Sequence, residues 1–241
     1  MKLEPDDFKL EKSSVWSFPE RGNWATHDAN YRGNCSPYVV RNLLLRYSKE
    51  GDWILDQFVG GGTSLIEAKL LGRNAIGTDV NQKALDRCKE KIAFAYGDVK
   101  IELRKADARN LNFIKNGSID FICTHPPYSD IIRYTDGIDG DISLLDYNNF
   151  LDAMAQVAEE AFRVLKSGKY CAFVMGDIRQ KGFVRPLGFD TMKVFEKADF
   201  KLKEIIIKQQ YNCRMTEKWE KISIEKNFFL LSHEYVFILK K

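Results

Sequence analysis

A glycine cluster between an apolar, strand-like run and a helical pattern constrains the fold of this chain more than any other feature. The apolar run covers 53–59, three consecutive glycines occupy 60–62, and a helical apolar pattern begins at Leu65 and ends at Gly72. Glycine permits positive φ and close approach of the backbone, so such a loop can lie directly against a ligand. No lysine directly follows the last glycine, which excludes the phosphate-binding P-loop pattern. The segment therefore predicts a strand, a tight ligand-binding loop and a helix.

The next predicted strand, 74–80, brings Asp79 to its carboxyl end. In dinucleotide-binding folds, a carboxylate at that position accepts hydrogen bonds from ribose hydroxyls and repels a 2′-phosphate. We therefore expect a cofactor that carries a nucleoside. The alternative is that Asp79 caps the helix predicted at 82–96, and the two roles are compatible.

The tetrapeptide His125-Pro126-Pro127-Tyr128 follows an apolar strand predicted at 118–124. Two consecutive prolines cannot continue a helix or donate to a sheet, so the chain leaves the strand abruptly and rigidly. A polar side chain, a proline carbonyl and an aromatic ring then face one small volume. This arrangement suits a flat heterocycle with an exocyclic amine, on which Tyr128 stacks while His125 and the carbonyl of Pro126 accept the amine hydrogens. An ordinary turn is the alternative for the tetrapeptide taken alone.

Together these motifs resemble those of the amino-methyltransferases that use S-adenosylmethionine to methylate the exocyclic nitrogen of adenine or cytosine in DNA. The stretch 56–63 resembles the cofactor loop Asp-Pro-Phe-x-Gly-Ser-Gly-Thr, and the tetrapeptide resembles the catalytic motif Asp/Asn/Ser-Pro-Pro-Tyr. Segment 34–44 resembles the helix opening that holds the methionine end in the gamma arrangement, and segment 105–109 resembles the one whose Asp binds the adenine amine. The resemblance implies that the cofactor-binding residues are Ser36, Asp56, Phe58, Gly60, Gly62, Thr63, Asp79 and Asp107, and that the catalytic residues are His125, Pro126, Pro127 and Tyr128.

Two residues depart from the family patterns. Gln57 replaces a proline in the cofactor loop, where we expect cofactor binding to survive. His125 replaces Asp, Asn or Ser in the catalytic motif, and neutral imidazole can accept an amine hydrogen whereas protonated imidazole cannot. Burial near a cationic sulfonium favours the neutral form. Because members with Ser favour cytosine N4, a neutral histidine favours N4-cytosine over N6-adenine.

Strand and helix patterns alternate along the chain, which is typical of an α/β fold with a mostly parallel sheet. We expect a Rossmann-like, seven-stranded, mostly parallel sheet with helices on both faces and an antiparallel edge strand. Ligands of such sheets lie beyond the carboxyl ends of the strands at the topological switch point. Strands are predicted at 53–59, 74–80, 100–106, 118–124, 169–176, 201–210 and 233–240, and helices at 37–48, 64–72, 82–96, 147–166 and 187–198.

With 241 residues, of which 44% are hydrophobic, the chain can form one substantial core. We expect a methyltransferase catalytic domain at 34–241 with inserted DNA-contacting loops, preceded by an N-terminal extension at 1–33 that packs on or near the cofactor pocket. No membrane span or signal pattern is recognisable, so a cytoplasmic location is expected. The five cysteines form no close pair, and we expect neither disulfides nor a bound metal.

Three interrupting segments are the candidates for contact with duplex DNA that carries a flipped target base. They are 129–147, 179–185 and 209–219, and the residues predicted to bind DNA within them are Arg133, Arg179, Lys181, Arg185 and Arg214. A net charge of only +3 means that nucleic-acid binding has to come from such local clusters. Solvated surface loops are the alternative for each segment.

Three functions remain open. The first is a DNA methyltransferase of the restriction–modification type. The second is the same chemistry on guanine N2 in RNA or on a glutamine amide in protein. The third is a non-catalytic nucleic-acid-binding module on a methyltransferase fold. The sequence also leaves a homodimer open.

Overall fold

The computed structural model describes residues 2–31, 33–211 and 216–241, so the predicted DNA contact Arg214 lies outside the described residues. One-turn 3₁₀ helices cover Ser129–Ile131 and Ile142–Leu144. In chain order the other elements are β1 Val15–Trp16, α1 Pro37–Tyr47, β2 Trp53–Asp56, α2 Thr63–Leu70, β3 Asn74–Asp79, α3 Gln82–Lys91, β4 Ile101–Lys105, β5 Ile119–Thr124, α4 Tyr147–Val164, β6 Leu165–Met175, β7 Ile178–Gln180, β8 Phe183–Arg185, α5 Leu187–Lys197, β9 Lys201–Gln209, α6 Thr216–Glu225 and β10 His233–Lys240.

One large sheet with the strand order β1-β9-β10-β6-β5-β2-β3-β4 forms the centre of the molecule. Its strand pairs are parallel except for β10, which runs antiparallel to both β6 and β9. The predicted mostly parallel α/β fold with helices on both faces is therefore confirmed.

The antiparallel strand β10 pairs with β9 near one end of the sheet but is not itself the edge strand, and the sheet has one more strand than expected. β10 lies between β6 and β9, and its residues 236–239 are fully buried. A strand that is apolar on both faces needs neighbours on both sides. β9 carries exposed charged side chains that suit a place near the edge, where the two-residue β1 pairs with it.

Alternate strand residues contribute to two hydrophobic cores on opposite faces of the sheet, as the period-two geometry of strands requires. On one face Leu55, Ile122 and Phe173 pack with residues of α4 and α5. On the other face Ile54 and Phe121 pack with residues of α1, α2 and α3. Both faces of the parallel strands are therefore covered by helices.

The switch point of the sheet lies between β2 and β5. These strands are parallel neighbours, with Ile54 opposite Phe121 and Leu55 opposite Ile122. From β2 the chain continues outward to β3 and β4, whereas from β5 it continues to β6 on the other side. The loops that leave the carboxyl ends of β2 and β5 therefore border one crevice.

Two predicted elements differ from the structure in an informative way. The helix predicted at 82–96 ends at Lys91, because the ammonium of Lys69 donates to the carbonyls of Ile92 and Phe94 and turns that segment back over α2. Segment 179–185, predicted as a loop, lies in the antiparallel hairpin of β7 and β8. Within the described ranges, no helix is long and apolar enough to cross a membrane.

Candidate active site

The glycine loop leaves β2 as a tight turn and enters α2 at Thr63. Gly62 has a φ of 85° at the N-cap of α2, and a Cβ there would lie 2.6 Å from the Sγ of Cys88. A side chain at this position would therefore be both strained and obstructed. The N–H of Val59 donates to the carbonyl of Thr78 over 2.9 Å, which holds the loop against the end of β3.

Asp79 holds the same loop through its side chain. Its Oδ2 accepts a hydrogen bond from the N–H of Gly60 at 3.0 Å, and its Oδ1 accepts one from Asn81 at 2.9 Å. Burial raises the pKa of Asp79, while these backbone hydrogen bonds act in the opposite direction.

Asp56 at the end of β2 joins the loop to β5. Its Oδ1 accepts from the N–H of Phe58 at 3.0 Å and from the hydroxyl of Thr124 at 2.9 Å, and its Oδ2 accepts from the hydroxyl of Ser64. Burial raises the pKa of Asp56 to about 6 despite these three donors. The carboxylate therefore fixes the two strand ends that border the crevice.

A cavity that is partly open to solvent occupies this crevice. Two buried polar atoms of lining residues have no hydrogen-bond partner, the Oε1 of Gln57 and the Nδ1 of His125. A largely apolar cavity with a carboxylate at the end of β3 and unpaired polar atoms fits S-adenosylmethionine, whose ribose and amino groups need acceptors.

Segments outside the predicted motifs supply part of the cavity wall. Tyr31 and Tyr134 line it and stack on each other, with ring centroids 6.2 Å apart. Tyr31 also covers the glycine loop, since a Cβ on Gly60 would lie 2.8 Å from its ring. The Oδ1 of Asn34 accepts a hydrogen bond from the hydroxyl of Thr63. The N-terminal segment and the loop after β5 thus close the cavity from two sides.

The predicted cofactor residues divide into two groups. Those that line the cavity are Asp56, Phe58, Gly60, Thr63 and Asp79. The others, Ser36, Gly62 and Asp107, are not among its lining residues. Ser36 precedes α1 as expected, but its hydroxyl donates to the carbonyl of Arg21 at 3.1 Å instead of capping the helix. Both carboxylate oxygens of Asp107 accept from Arg109, while the neighbouring Ala106 and Ala108 line the cavity.

The tetrapeptide leaves β5 beside the cavity, and His125 and Pro127 line it. The hydroxyl of Tyr128 donates to the Oε1 of Glu234 on β10 over 2.7 Å and lies 3.1 Å from the Nε2 of His125. Burial lowers the pKa of His125, and the charge of Glu234 acts in the opposite direction. The imidazole is therefore neutral at neutral pH, which is the form that can accept a hydrogen bond.

The predicted DNA contacts that the structure describes lie at the surface. Arg133 and Lys181 are exposed. The guanidinium of Arg179 donates to the carbonyls of Gly182 and Phe229, at 3.0 Å each, and that of Arg185 lies 4.4 Å from the ring centroid of Tyr147. These two arginines therefore brace the β7–β8 hairpin.

Sequence reasoning missed Tyr31, Asn34, Tyr134 and Glu234. Asn34 belongs to segment 34–44, whose resemblance to the family is a signal that could have identified it. The other three lie in segments without a motif, and no local pattern marks them.

Comparison with known proteins gives one family and several partial relatives. A DNA methylase family model matches residues 2–90 and 119–241. The tRNA (guanine(10)-N2)-dimethyltransferase of Methanothermobacter thermautotrophicus is 35% identical over 124 residues, which cover 51% of this chain and 35% of the relative. The Type II methyltransferase M.MthZI of the same species is 29% identical over 103 residues, 36% of this chain and 29% of the relative. The matched regions thus span about a third of the length of these two relatives.

A solved SAM-dependent methyltransferase from Methanosarcina mazei superposes with a TM-score of 0.55 at 16% identity, covering 83% of this chain and 96% of that one. This likeness concerns the fold. The family model, by contrast, covers most of the chain, including the glycine loop and the tetrapeptide. The chain belongs to the DNA methylase family.

Proposed function

We propose that this protein transfers a methyl group from S-adenosylmethionine to the exocyclic amine of a flipped base in DNA, with cytosine N4 as the first base to test. The observation that carries the proposal is one shared cavity. The glycine loop, Asp79 and His125 all border it, and the Nδ1 of His125 has no hydrogen-bond partner. A nucleoside-bearing methyl donor and a target amine can therefore meet at the carboxyl ends of β2 and β5.

S-adenosylmethionine is the cofactor, and it supplies a methyl group on a positively charged sulfur. Asp79 is placed to accept hydrogen bonds from its ribose hydroxyls, as carboxylates at this position do in dinucleotide folds. Ala106, Ala108 and Val80 offer an apolar wall for a purine. Tyr31 and Tyr134 form part of the cavity wall.

The residues of the tetrapeptide prepare the amine. Its lone pair is delocalised into the base, and it becomes nucleophilic when acceptors bind the amine hydrogens. The Nδ1 of His125 and the carbonyl of Pro126 are these acceptors, and Tyr128 stacks on the base. The nitrogen then forms its bond to the methyl carbon as the carbon–sulfur bond breaks, and the extra proton leaves to solvent. Rate enhancement rests on positioning rather than on a strong base.

Methylation of guanine N2 in tRNA is the second candidate, since the tRNA dimethyltransferase relative is 35% identical over 124 residues. The family model favours DNA. Exposed basic side chains such as Lys181 and Arg133 can contact phosphates of either nucleic acid.

The test measures transfer of a radiolabelled methyl group to duplex DNA, to tRNA and to a mixture of proteins, followed by mass spectrometry of the nucleosides. His125→Ala, which keeps the cofactor cavity, is the control. We expect N4-methylcytosine or N6-methyladenine with the native enzyme and neither product with the variant. Transfer only to tRNA would replace DNA by guanine N2 as the target. Binding of nucleic acid and of cofactor without any transfer would establish the non-catalytic module.

A further inference from the structure

A chain of four hydrogen-bonded side chains leads from His125 and Tyr128 of the tetrapeptide to Glu234 and Lys208. The Nζ of Lys208 on β9 donates to the Oε2 of Glu234 at 2.9 Å. The Oε1 of Glu234 accepts from the hydroxyl of Tyr128 at 2.7 Å, and the oxygen of Tyr128 lies 3.1 Å from the Nε2 of His125. Glu234 and Lys208 are not among the residues that line the cavity. Hydrogen bonds connect them to the site through Tyr128 and His125.

The ionisation of Glu234 sets the direction of the hydrogen bond from Tyr128 and, through it, that of the bond between Tyr128 and His125. Burial alone would raise the pKa of Glu234, but the ammonium of Lys208, His125 and the hydrogen bonds from Lys208 and Tyr128 hold it at about 2. An ionised carboxylate only accepts. The hydroxyl of Tyr128 must therefore donate to Glu234, and its oxygen is left to accept. The backbone N–H of Gly176 also interacts with this oxygen.

An accepting tyrosine oxygen requires an N–H on the Nε2 of His125. In neutral imidazole one nitrogen carries the proton and the other has the lone pair. The lone pair is then on Nδ1, which is buried, lacks a hydrogen-bond partner and belongs to a residue that lines the cavity. Nδ1 is bonded to Cγ, as is the side-chain oxygen of an Asn or Asp residue. It is therefore the nitrogen best placed to accept from a target amine.

We propose that Glu234, oriented by Lys208, is a positioning residue that holds neutral His125 in the tautomer with its proton on Nε2 and its acceptor lone pair on Nδ1. This inference rests on the proposed amino-methyltransfer. It assigns a role to two residues outside the tetrapeptide and explains how a histidine can serve as the acceptor.

Burial is the main cause that favours the neutral imidazole by lowering its pKa. Lys208 and Arg21 add to the effect of burial in lowering its pKa, and Glu234 alone among the interacting charges raises it. Tautomer control therefore acts over the whole neutral range, where the ring is uncharged.

The most direct test is ¹⁵N NMR of protein labelled at its three histidines, His27, His125 and His233. Comparison with the spectrum of His125→Asn identifies the His125 signals. We expect a protonated, pyrrole-type Nε2 and an unprotonated, pyridine-type Nδ1 at neutral pH. The opposite tautomer in the native protein would overturn the proposal, whatever substrate the enzyme methylates. Failure to methylate DNA with the expected tautomer present would instead contradict the proposed function alone.

Glu234→Gln tests the hydrogen-bond chain from Lys208 to His125. Lys208 can only donate, so it must still face an oxygen of the new side chain. The amide oxygen then faces Lys208 and the amide nitrogen faces Tyr128. The hydroxyl of Tyr128 would turn to donate to Nε2, which moves the proton to Nδ1. We expect kcat to fall by about 5-fold to 150-fold, the range for a buried acceptor replaced by an unmatched donor, with an unchanged KM for S-adenosylmethionine.

Rescue separates tautomer control from a structural role. In Glu234→Gln with Lys208→Met the amide is free to rotate and present its oxygen to Tyr128, so kcat should recover relative to the single variant. Glu204→Gln, at a largely exposed carboxylate on the neighbouring β9, is the matched control and should leave kcat unchanged. The proposal would be overturned if Glu234→Gln kept the wild-type kcat and tautomer. It would also be overturned if the kcat of the double variant were no higher than that of Glu234→Gln. If Glu234→Gln does not fold, Tyr128→Phe removes the same link and should lose the preference for Nε2 protonation.

Discussion

The indole N–H of Trp24 donates a hydrogen bond of 2.7 Å to the Oε1 of Glu67, a fully buried carboxylate on α2. The same carboxylate accepts from His27 at 2.8 Å and from Arg41 at 3.1 Å. Buried charges in proteins are paired or cost several kcal/mol. This cluster therefore fastens the N-terminal segment to the helix that follows the glycine loop, which supports the proposal that residues 1–33 form an extension packed near the cofactor cavity.

Replacement of Glu67 should release this segment. We expect Glu67→Ala to lower the free energy of unfolding by about 3–5 kcal/mol, because Arg41 is left buried without its full set of partners. Urea denaturation measures the loss, and hydrogen exchange at Trp24 and His27 reports the release. The control is Glu102→Ala, at a largely exposed ion pair, with an expected change within about 0.5 kcal/mol. Equal losses in both variants would contradict the proposed fastening.

Asp79 and Asp107 are distinguished by their surroundings. Asp79→Ala should weaken binding of S-adenosylmethionine by about 1.5–3 kcal/mol, the scale for hydrogen bonds to a charged group. Asp107→Ala should change it by less than about 0.5 kcal/mol, because Asp107 pairs with Arg109 and is not among the residues that line the cavity, whereas Asp79 is. Calorimetry of the two folded variants provides the comparison. A loss at Asp107 as large as that at Asp79 would mean that its carboxylate leaves Arg109 and binds the cofactor.

The ring and the hydroxyl of Tyr128 have separable roles. Both Tyr128→Phe and Tyr128→Ala remove the donor to Glu234, but only the second removes the ring. We expect kcat/KM for nucleic acid to be lower in the Ala variant than in the Phe variant. The difference should correspond to about 1–3 kcal/mol of transition-state free energy, which is the contribution of base stacking. Affinity for cofactor should change little in either. Equal kcat/KM in the two variants would show that the base does not stack on this ring.

His125 should produce an acid limb in the pH profile of methyl transfer. Burial lowers its pKa below the ordinary value of about 6.5, so the neutral acceptor is present above that lowered pKa and is lost as the pH falls through it. We expect kcat at saturating substrate to fall on this acid side. His125→Asn should retain part of the activity and lack the limb, since an amide does not titrate there. Persistence of the same limb in the Asn variant would assign it to another group.

Asp56 should make stability depend on pH in the opposite sense to most carboxylates. Its pKa is about 6 in the folded protein, and about 3.9 is expected in the unfolded chain. Between these values the folded state binds the proton and the unfolded state does not, so stability falls as the pH rises, by about 3 kcal/mol over this window. Denaturation at pH 4 and pH 7 should show this difference in the native protein and a smaller one in Asp56→Asn. The same difference in both proteins would exclude Asp56 as its source.

The local sequence pattern predicted most of the fold. The alternation of apolar runs with helical spacing predicted the main strands and helices to within a few residues, because each pattern reflects burial along one element. The two-residue β1 was missed because a strand that short has no periodicity, and Trp16 is buried there through pairing with β9. The sequence did not show that β10 lies inside β9, because strand order depends on contacts between distant segments.

The sequence by itself determined the glycine loop, the aspartate that ends β3 and the tetrapeptide after β5, since each is a short run whose backbone constraints are local. Only the tertiary structure decided which side chains complete the site. Glu234 lies 106 residues beyond Tyr128 and contacts it because β10 is inserted beside β6. Tyr31 and Tyr134 meet over the cavity although each belongs to an irregular segment. Such contacts depend on the order and register of strands, and that information resides in the packing of the whole sheet.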